Sequence, residues 1–112
     1  MSTVSTHVLD ASAGAPAGGV AVALSWTARD GRDEPLADAV TDADGRVAGA
    51  NPQPLMVGTY RLVFSTGEYF ARAGTPTFYP QVAVTFTVAE PEQHYHVPLL
   101  LSPYAYSTYR GS

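Results

Sequence analysis

Three histidines and six arginines, with no lysine beside them, are the side chains of widest chemical reach in this chain. His94 and His96 stand two residues apart, so in an extended strand both imidazoles leave the same face. An unperturbed imidazole titrates near ~6.5 and serves as a neutral base at physiological pH. The same pair can bind a metal, but a third ligand is needed and no obvious carboxylate or cysteine accompanies it. Two histidines on a solvated face are the ordinary case for this spacing. His7, beside Val8 and Leu9, falls in a first strand, where a solvent-facing residue is again the ordinary case. Arg46 follows an Asp44-Gly45 turn; its planar fork of donors suits a carbonyl oxygen, although exposed arginines after turns are common. At the other end, Tyr104, Tyr106 and Tyr109 lead into Arg110-Gly111-Ser112. Chain ends usually fray, so an aromatic-rich strand running this far predicts a docked terminus. Packing and site building both account for it.

These groups have to be held by elements, and the periodicity of the chain is two almost everywhere, the mark of half-buried strands. Val20, Val22, Leu24 and Trp26 alternate with small or polar residues, as do Tyr60, Leu62 and Phe64, and Val82, Val84, Phe86 and Val88. The run 93–101 sets His94 and His96 on one face, with Tyr95, Val97 and Leu99 on the other. The run 104–109 opposes Tyr104, Tyr106 and Thr108 to Ala105, Ser107 and Tyr109. Turn chemistry separates the runs: a Gly- and Pro-rich loop at 13–19, Asp42-Ala43-Asp44-Gly45, Asn51-Pro52-Gln53-Pro54 and Ser102-Pro103. Residues 67–73 suit one or two turns of helix. Seven or eight short strands joined by turns predict an all-β, antiparallel two-sheet sandwich with one short helix.

The 112 residues fit a single domain spanning 1–112. A domain of this size buries somewhat under ~70% of its unfolded surface, so association with other copies would help it. The absence of cysteine removes disulfides, thiolate nucleophiles and cysteine-based metal sites together. A net charge of −4 argues against a nucleic-acid partner but leaves an anionic small molecule open. No apolar run approaches a membrane span, and residues 1–7 have neither the basic nor the apolar region of a signal peptide. The expectation is a soluble, cytoplasmic protein with no membrane partner.

The stretch Gln93-His94-Tyr95-His96-Val97-Pro98-Leu99-Leu100-Leu101-Ser102-Pro103-Tyr104, followed by Tyr106-Ser107-Thr108-Tyr109-Arg110-Gly111-Ser112, resembles the signature end of the 5-hydroxyisourate hydrolases. This transthyretin-like family is similar to the chain elsewhere too. Ser5-Thr6-His7-Val8-Leu9-Asp10, Thr41-Asp42-Ala43-Asp44-Gly45-Arg46, Gly58-Thr59-Tyr60-Arg61-Leu62 and Phe78-Tyr79-Pro80 all match it in order. Tyr109-Arg110-Gly111-Ser112 is the most specific part, since the hormone-carrying transthyretins lack it. Gln81 departs from the acid found in many relatives.

The resemblance implies a transthyretin-like sandwich assembled as a homotetramer, a dimer of dimers, with active sites in a channel where dimers meet. It implies hydrolysis of a flat, purine-derived substrate, 5-hydroxyisourate, to 2-oxo-4-hydroxy-4-carboxy-5-ureidoimidazoline in urate breakdown. It assigns His7 and His96 to holding and activating water, and Arg46 to clamping the substrate and stabilising the oxyanion. Tyr109 would line the slot; Arg110 and Ser112 would bind substrate, Ser112 through its hydroxyl or its carboxylate. No metal and no organic cofactor is implied. A non-catalytic transthyretin-like carrier is the main alternative, followed by an immunoglobulin-like accessory module and, last, a metal-dependent hydrolase.

Overall fold

Residues 2–112 are described in a computed structural model of the chain. Among them nine strands and one helix follow in the order β1 (Thr3–Asp10), β2 (Ala15–Pro16), β3 (Ala21–Thr27), β4 (Asp33–Val40), β5 (Arg46–Val47), β6 (Gly58–Phe64), α1 (Thr66–Arg72), β7 (Val82–Val88), β8 (His94–Ser102) and β9 (Ala105–Thr108). The strands form two sheets. One runs β4-β3-β6-β7; the other runs β2-β1-β8-β9, with β5 also pairing β1. The apolar half of each alternating run faces inward, so Val4, Val8, Leu24, Leu62, Phe64, Val82, Val88 and Leu99 are all fully buried between the sheets. Burying one such side chain contributes about 1.5–3 kcal/mol, which is why the two-residue period governs which face each strand turns to the core.

One pairing departs from the antiparallel expectation. β1 and β8 run parallel, from Thr3 opposite His94 to Asp10 opposite Leu101. Parallel neighbours need a long crossover, and here most of the chain, including the whole second sheet, lies between them. β4 is also absent from the alternation read in the sequence. It is an edge strand, largely exposed, with Asp33, Glu34, Pro35 and Asp38 and a register shift at Leu24/Ser25 of its partner. Charges, proline and a bulge blunt an edge against unwanted pairing and at the same time erase its apolar period. β2 falls within the predicted 13–19 loop and adds only two pairs to β1.

The helix begins and ends one residue before the predicted 67–73 span. It buries Phe70, and its Tyr69 hydroxyl donates to Asp10 Oδ2 at 2.7 Å. Asp10 Oδ1 also accepts from the Ser12 amide and hydroxyl and from the Ala13 amide. Burial works to raise the Asp10 pKa, but these donors outweigh it and hold the carboxyl below its ordinary value. Burial and the Asp10 charge push the Tyr69 phenol up to about 12.

Candidate active site

The parallel register of β1 and β8 sets the outward residues of both strands side by side. Ser5 pairs with His96 and Thr3 with His94, while His7 pairs with Pro98 on one side and with Arg46 of β5 on the other. Both strands turn these residues away from the core for the same reason: Val4, Val8, Tyr95, Val97 and Leu99 occupy the inward positions. Three segments far apart in sequence thus contribute to one patch of sheet.

Arg46 is delivered by the Asp42–Gly45 turn. Asp42 Oδ1 accepts from the amides of Asp44 and Arg46, and the Gly45 amide donates to the Asp42 carbonyl. Gly45 takes φ +76°, and a β-carbon there would run into the Val8 carbonyl oxygen, so the position requires glycine. The Asp44 carbonyl accepts from His7 Nε2 at 2.9 Å, so that nitrogen carries the proton and Nδ1 is the bare nitrogen of the neutral ring.

The terminal segment lies against β8. The Gly111 amide donates to the His96 carbonyl at 2.8 Å, closing an isolated antiparallel bridge beyond β9. A β-carbon on Gly111 would sit 2.5 Å from His96 Cδ2, so the backbone here packs directly onto the imidazole. Arg110 turns to the opposite side, where its guanidinium lies 4.6 Å above the Tyr95 ring and donates to Gln93 Oε1 at 3.0 Å. The predicted docked terminus is present, held by this alternation.

Ser5, Thr6, Arg46, Val47, Ala48, His94, His96 and Ser112 line a shallow pocket of about 320 Å³. The structure therefore brings Arg46, His96 and Ser112 together. His7 flanks them through its pairing with Arg46 but does not line the pocket. Tyr109 and Arg110 line a separate cavity with Val84, Phe86 and Tyr95. A larger cavity of about 590 Å³, around Trp26, Leu36, Leu55 and Met56, lies at the β4 edge. Size would favour it as a ligand site, but Glu34 is the only acid or base in its wall apart from the Tyr60 phenol, which donates to the Met56 carbonyl. The imidazoles and the guanidinium gather in the smaller one. Among the described residues no group of three His, Cys, Asp or Glu side chains is placed to hold a metal ion.

Burial lowers the His96 pKa below the ordinary histidine value, and electrostatic repulsion by the neighbouring His94, His7 and Arg46 lowers it further, against a partly offsetting hydrogen bond from the ring to the Ser5 backbone. The ring is thus neutral at physiological pH. Ser5 Oγ lies 2.8 Å from His96 Nδ1 and 2.7 Å from His94 Nε2, and Thr3 Oγ1 lies 2.6 Å from His94 Nδ1. With Nδ1 so engaged, Nε2 is the His96 nitrogen left to react. Thr3, Ser5 and Gly111 were not singled out in the sequence. Alternation would have grouped Thr3 and Ser5 with His7, but only the parallel pairing sets them beside His94 and His96.

A family model described as the HIUase/Transthyretin family matches residues 4–111. A 5-hydroxyisourate hydrolase of Caulobacter vibrioides is 48% identical over the whole of both chains. The structure of a Klebsiella pneumoniae 5-hydroxyisourate hydrolase superposes with a TM-score of 0.88 at 44% identity, covering 98% of this chain and 99% of that one. A transthyretin from Sparus aurata superposes with a TM-score of 0.90 at 35% identity, covering 97% and 96%. A single family model over nearly all the described residues, with full-length relatives of this identity, leads to one conclusion: the chain belongs to the HIUase/Transthyretin family.

Proposed function

We propose that this protein hydrolyses 5-hydroxyisourate to 2-oxo-4-hydroxy-4-carboxy-5-ureidoimidazoline, by adding water to a ring carbonyl and breaking the adjacent C–N bond. The observation that carries this reading is a partly buried, neutral imidazole facing one pocket with an arginine and Ser112. His96 Nε2 takes the proton of the attacking water. Arg46 clamps the carbonyl oxygen and stabilises the negative charge that develops on it. His7 holds the water through its bare Nδ1, and the Ser112 hydroxyl donates to substrate. Tyr109 and Arg110 serve from behind: Arg110, fixed over Tyr95, anchors the backbone that carries Gly111 and Ser112 onto His96. A polarised carbonyl and an activated water suffice for this chemistry without a metal or an organic cofactor.

The working form in this reading is a homotetramer, a dimer of dimers. β7 and β9 are outer strands of their sheets. Phe78, Tyr104 and Tyr109 are 71%, 66% and 58% exposed near that side of the chain. Open edges and exposed aromatic patches favour pairing with another copy. A facing copy would also roof the shallow pocket and strengthen the field of Arg46 by excluding water. Light scattering coupled to size exclusion tests this, and a monomeric mass would refute it. A cytoplasmic location belongs to the same proposal and is tested by cell fractionation.

The likeness to a transthyretin means that the fold alone does not separate a hydrolase from a carrier. The decay of freshly generated 5-hydroxyisourate, followed by ultraviolet absorbance with and without the protein, does so. Acceleration over the unaided reaction in proportion to protein, lost in a folded His96→Ala variant, is the expected result. Decay no faster than in buffer would overturn the hydrolase in favour of the carrier.

A further inference from the structure

The hydroxyl between the two β8 histidines obeys a strict donor count. Ser5 Oγ carries one hydrogen and contacts two imidazole nitrogens, His94 Nε2 at 2.7 Å and His96 Nδ1 at 2.8 Å. A neutral imidazole has one N–H and one bare nitrogen. If His96 Nδ1 donates to Ser5, then Ser5 donates to a bare His94 Nε2, and His94 Nδ1 carries the hydrogen directed at Thr3 Oγ1, 2.6 Å away. If Ser5 instead donates to His96 Nδ1, it accepts from His94 Nε2–H, and Thr3 donates to His94 Nδ1. Only these two arrangements use the Ser5 hydrogen within its own contacts when both rings are neutral; donation by both imidazoles to Ser5 Oγ would leave that hydrogen without an acceptor between the rings. In both, the two histidines carry the same tautomer.

We propose that Ser5 is a positioning residue that locks the tautomers of His94 and His96 together and, with Thr3, links the pocket base to solvent through an unbroken chain of hydrogen bonds. The inference rests on the hydrolase reading for its use in turnover, but the tautomer lock stands on geometry alone. Ser5 is 8% exposed, whereas Thr3 and His94 at the far end are exposed, so the chain runs from a sheltered hydroxyl to water. At the pocket end, Arg46 lines the same wall as His96 and brings positive charge and donors to it, while Nδ1 is taken up by Ser5. The Arg46 charge favours a bare Nε2, and so selects the arrangement in which both rings carry hydrogen on Nδ1.

Opening a cyclic amide into a carboxylate and a non-basic ureido nitrogen releases one proton per turnover. The chain gives the base a path on which to shed the first proton of the attacking water. His96 Nε2 accepts the proton from water, and Nδ1–H passes to Ser5 Oγ. The Ser5 hydrogen passes to His94 Nε2, His94 Nδ1–H passes to Thr3 Oγ1, and the Thr3 hydrogen goes to solvent. One proton leaves the pocket, every atom regains its valence, and both rings end neutral in the opposite tautomer. When the C–N bond breaks, the His96 Nε2 hydrogen protonates the leaving ureido nitrogen, a hydrogen returning along the same path restores Nδ1–H, and the carboxylic acid formed releases the net proton.

Long-range nitrogen–proton correlation spectra of protein carrying ¹⁵N-histidine read each tautomer directly. His94 and His96 are expected to show the same tautomer, Nδ1–H, and Ser5→Ala to uncouple them. Opposite tautomers in the parent protein, or unchanged spectra in Ser5→Ala, would overturn the lock. In the 5-hydroxyisourate assay, Ser5→Ala is expected to lower kcat by at least about tenfold, short of the roughly 10²–10⁴-fold effect of losing a general base. KM should stay within about twofold, and Ser5→Thr, which keeps the hydroxyl on a strand-compatible residue, should restore the rate. An unchanged kcat in Ser5→Ala, or no rescue by a folded Ser5→Thr, would overturn the catalytic role. Should Ser5→Ala fail to fold, Thr3→Val at the exposed end cuts the same chain: a slower kcat supports the relay, and a parental kcat refutes it. A parent protein without activity would refute the hydrolase reading and still leave the tautomer lock to the spectra.

Discussion

Replacing Gly111 by alanine adds one methyl group at the point where the terminal segment crosses the His96 ring. The new β-carbon would lie 2.5 Å from His96 Cδ2, 3.2 Å from Cγ and 3.3 Å from Pro98 Cγ. Ordinary contact begins at 3.4 Å, so the ring or the strand has to give by about 0.9 Å. The ring resists, because Nδ1 is tied to Ser5 at 2.8 Å; the strand resists through the Gly111 amide at 2.8 Å from the His96 carbonyl. Either movement shifts Nε2 relative to Arg46 or carries Ser112 out of the pocket. A misplacement of about 1 Å costs roughly 10²-fold in rate. The fold should notice far less, since only the terminal bridge is at stake, about 1 kcal/mol for one hydrogen bond. Gly111→Ala is therefore expected to lose about 10²-fold in kcat for 5-hydroxyisourate while its melting temperature falls by only a few degrees. A kcat within twofold of the parent would refute the argument that backbone contact with the imidazole sets the site geometry. A collapse of stability matching the loss of rate would refute it in the other direction, by making the terminus structural.

Arg46→Lys keeps the charge and discards the fork; kcat/KM should fall by about 10²–10³-fold with an unchanged circular dichroism spectrum, and full activity would reduce Arg46 to a point charge. The pH profile follows from the sign of the His96 shift. The base works only when neutral, so activity is present above its pKa and lost as pH falls through it. Burial and the positive neighbours depress that pKa, so the acid limb of kcat/KM should lie below ~6.5, and Arg46→Gln should move the residual activity's limb upward. A parental limb at or above ~6.5 would show that another group controls the rate. Gly45→Ala places a β-carbon against the Val8 carbonyl at φ +76° and should cost about 1–3 kcal/mol of stability, read by denaturant unfolding; no loss would show that the turn relaxes freely.

Much of this protein was legible along the chain because its strands record their surroundings at every second residue. The faces of β3, β6, β7 and β8, the helix beside Gly67, the turn ahead of Arg46 and the docking of the Tyr109 to Ser112 segment all follow from local pattern and local turn chemistry. The same pattern placed His94 and His96 on the outward face, but it left them indistinguishable from ordinary solvated histidines. Strand β4 was silent because an edge strand with Asp33, Pro35 and Asp38 has no apolar face to repeat.

What only the tertiary structure decided is which outward faces meet. Alternation states on which side of its own strand a residue lies; it carries nothing about the neighbouring strand or its register. The parallel pairing of β1 with β8 is a contact across some ninety residues of sequence, and it alone turns Thr3, Ser5, His94 and His96 into one hydrogen-bonded chain. The crossing of Gly111 over the imidazole is likewise a matter of distance in space, not of spacing along the chain. Residue types and local turns are written in the order of the chain, whereas register is settled by the packing of the whole core, and the site is made of register.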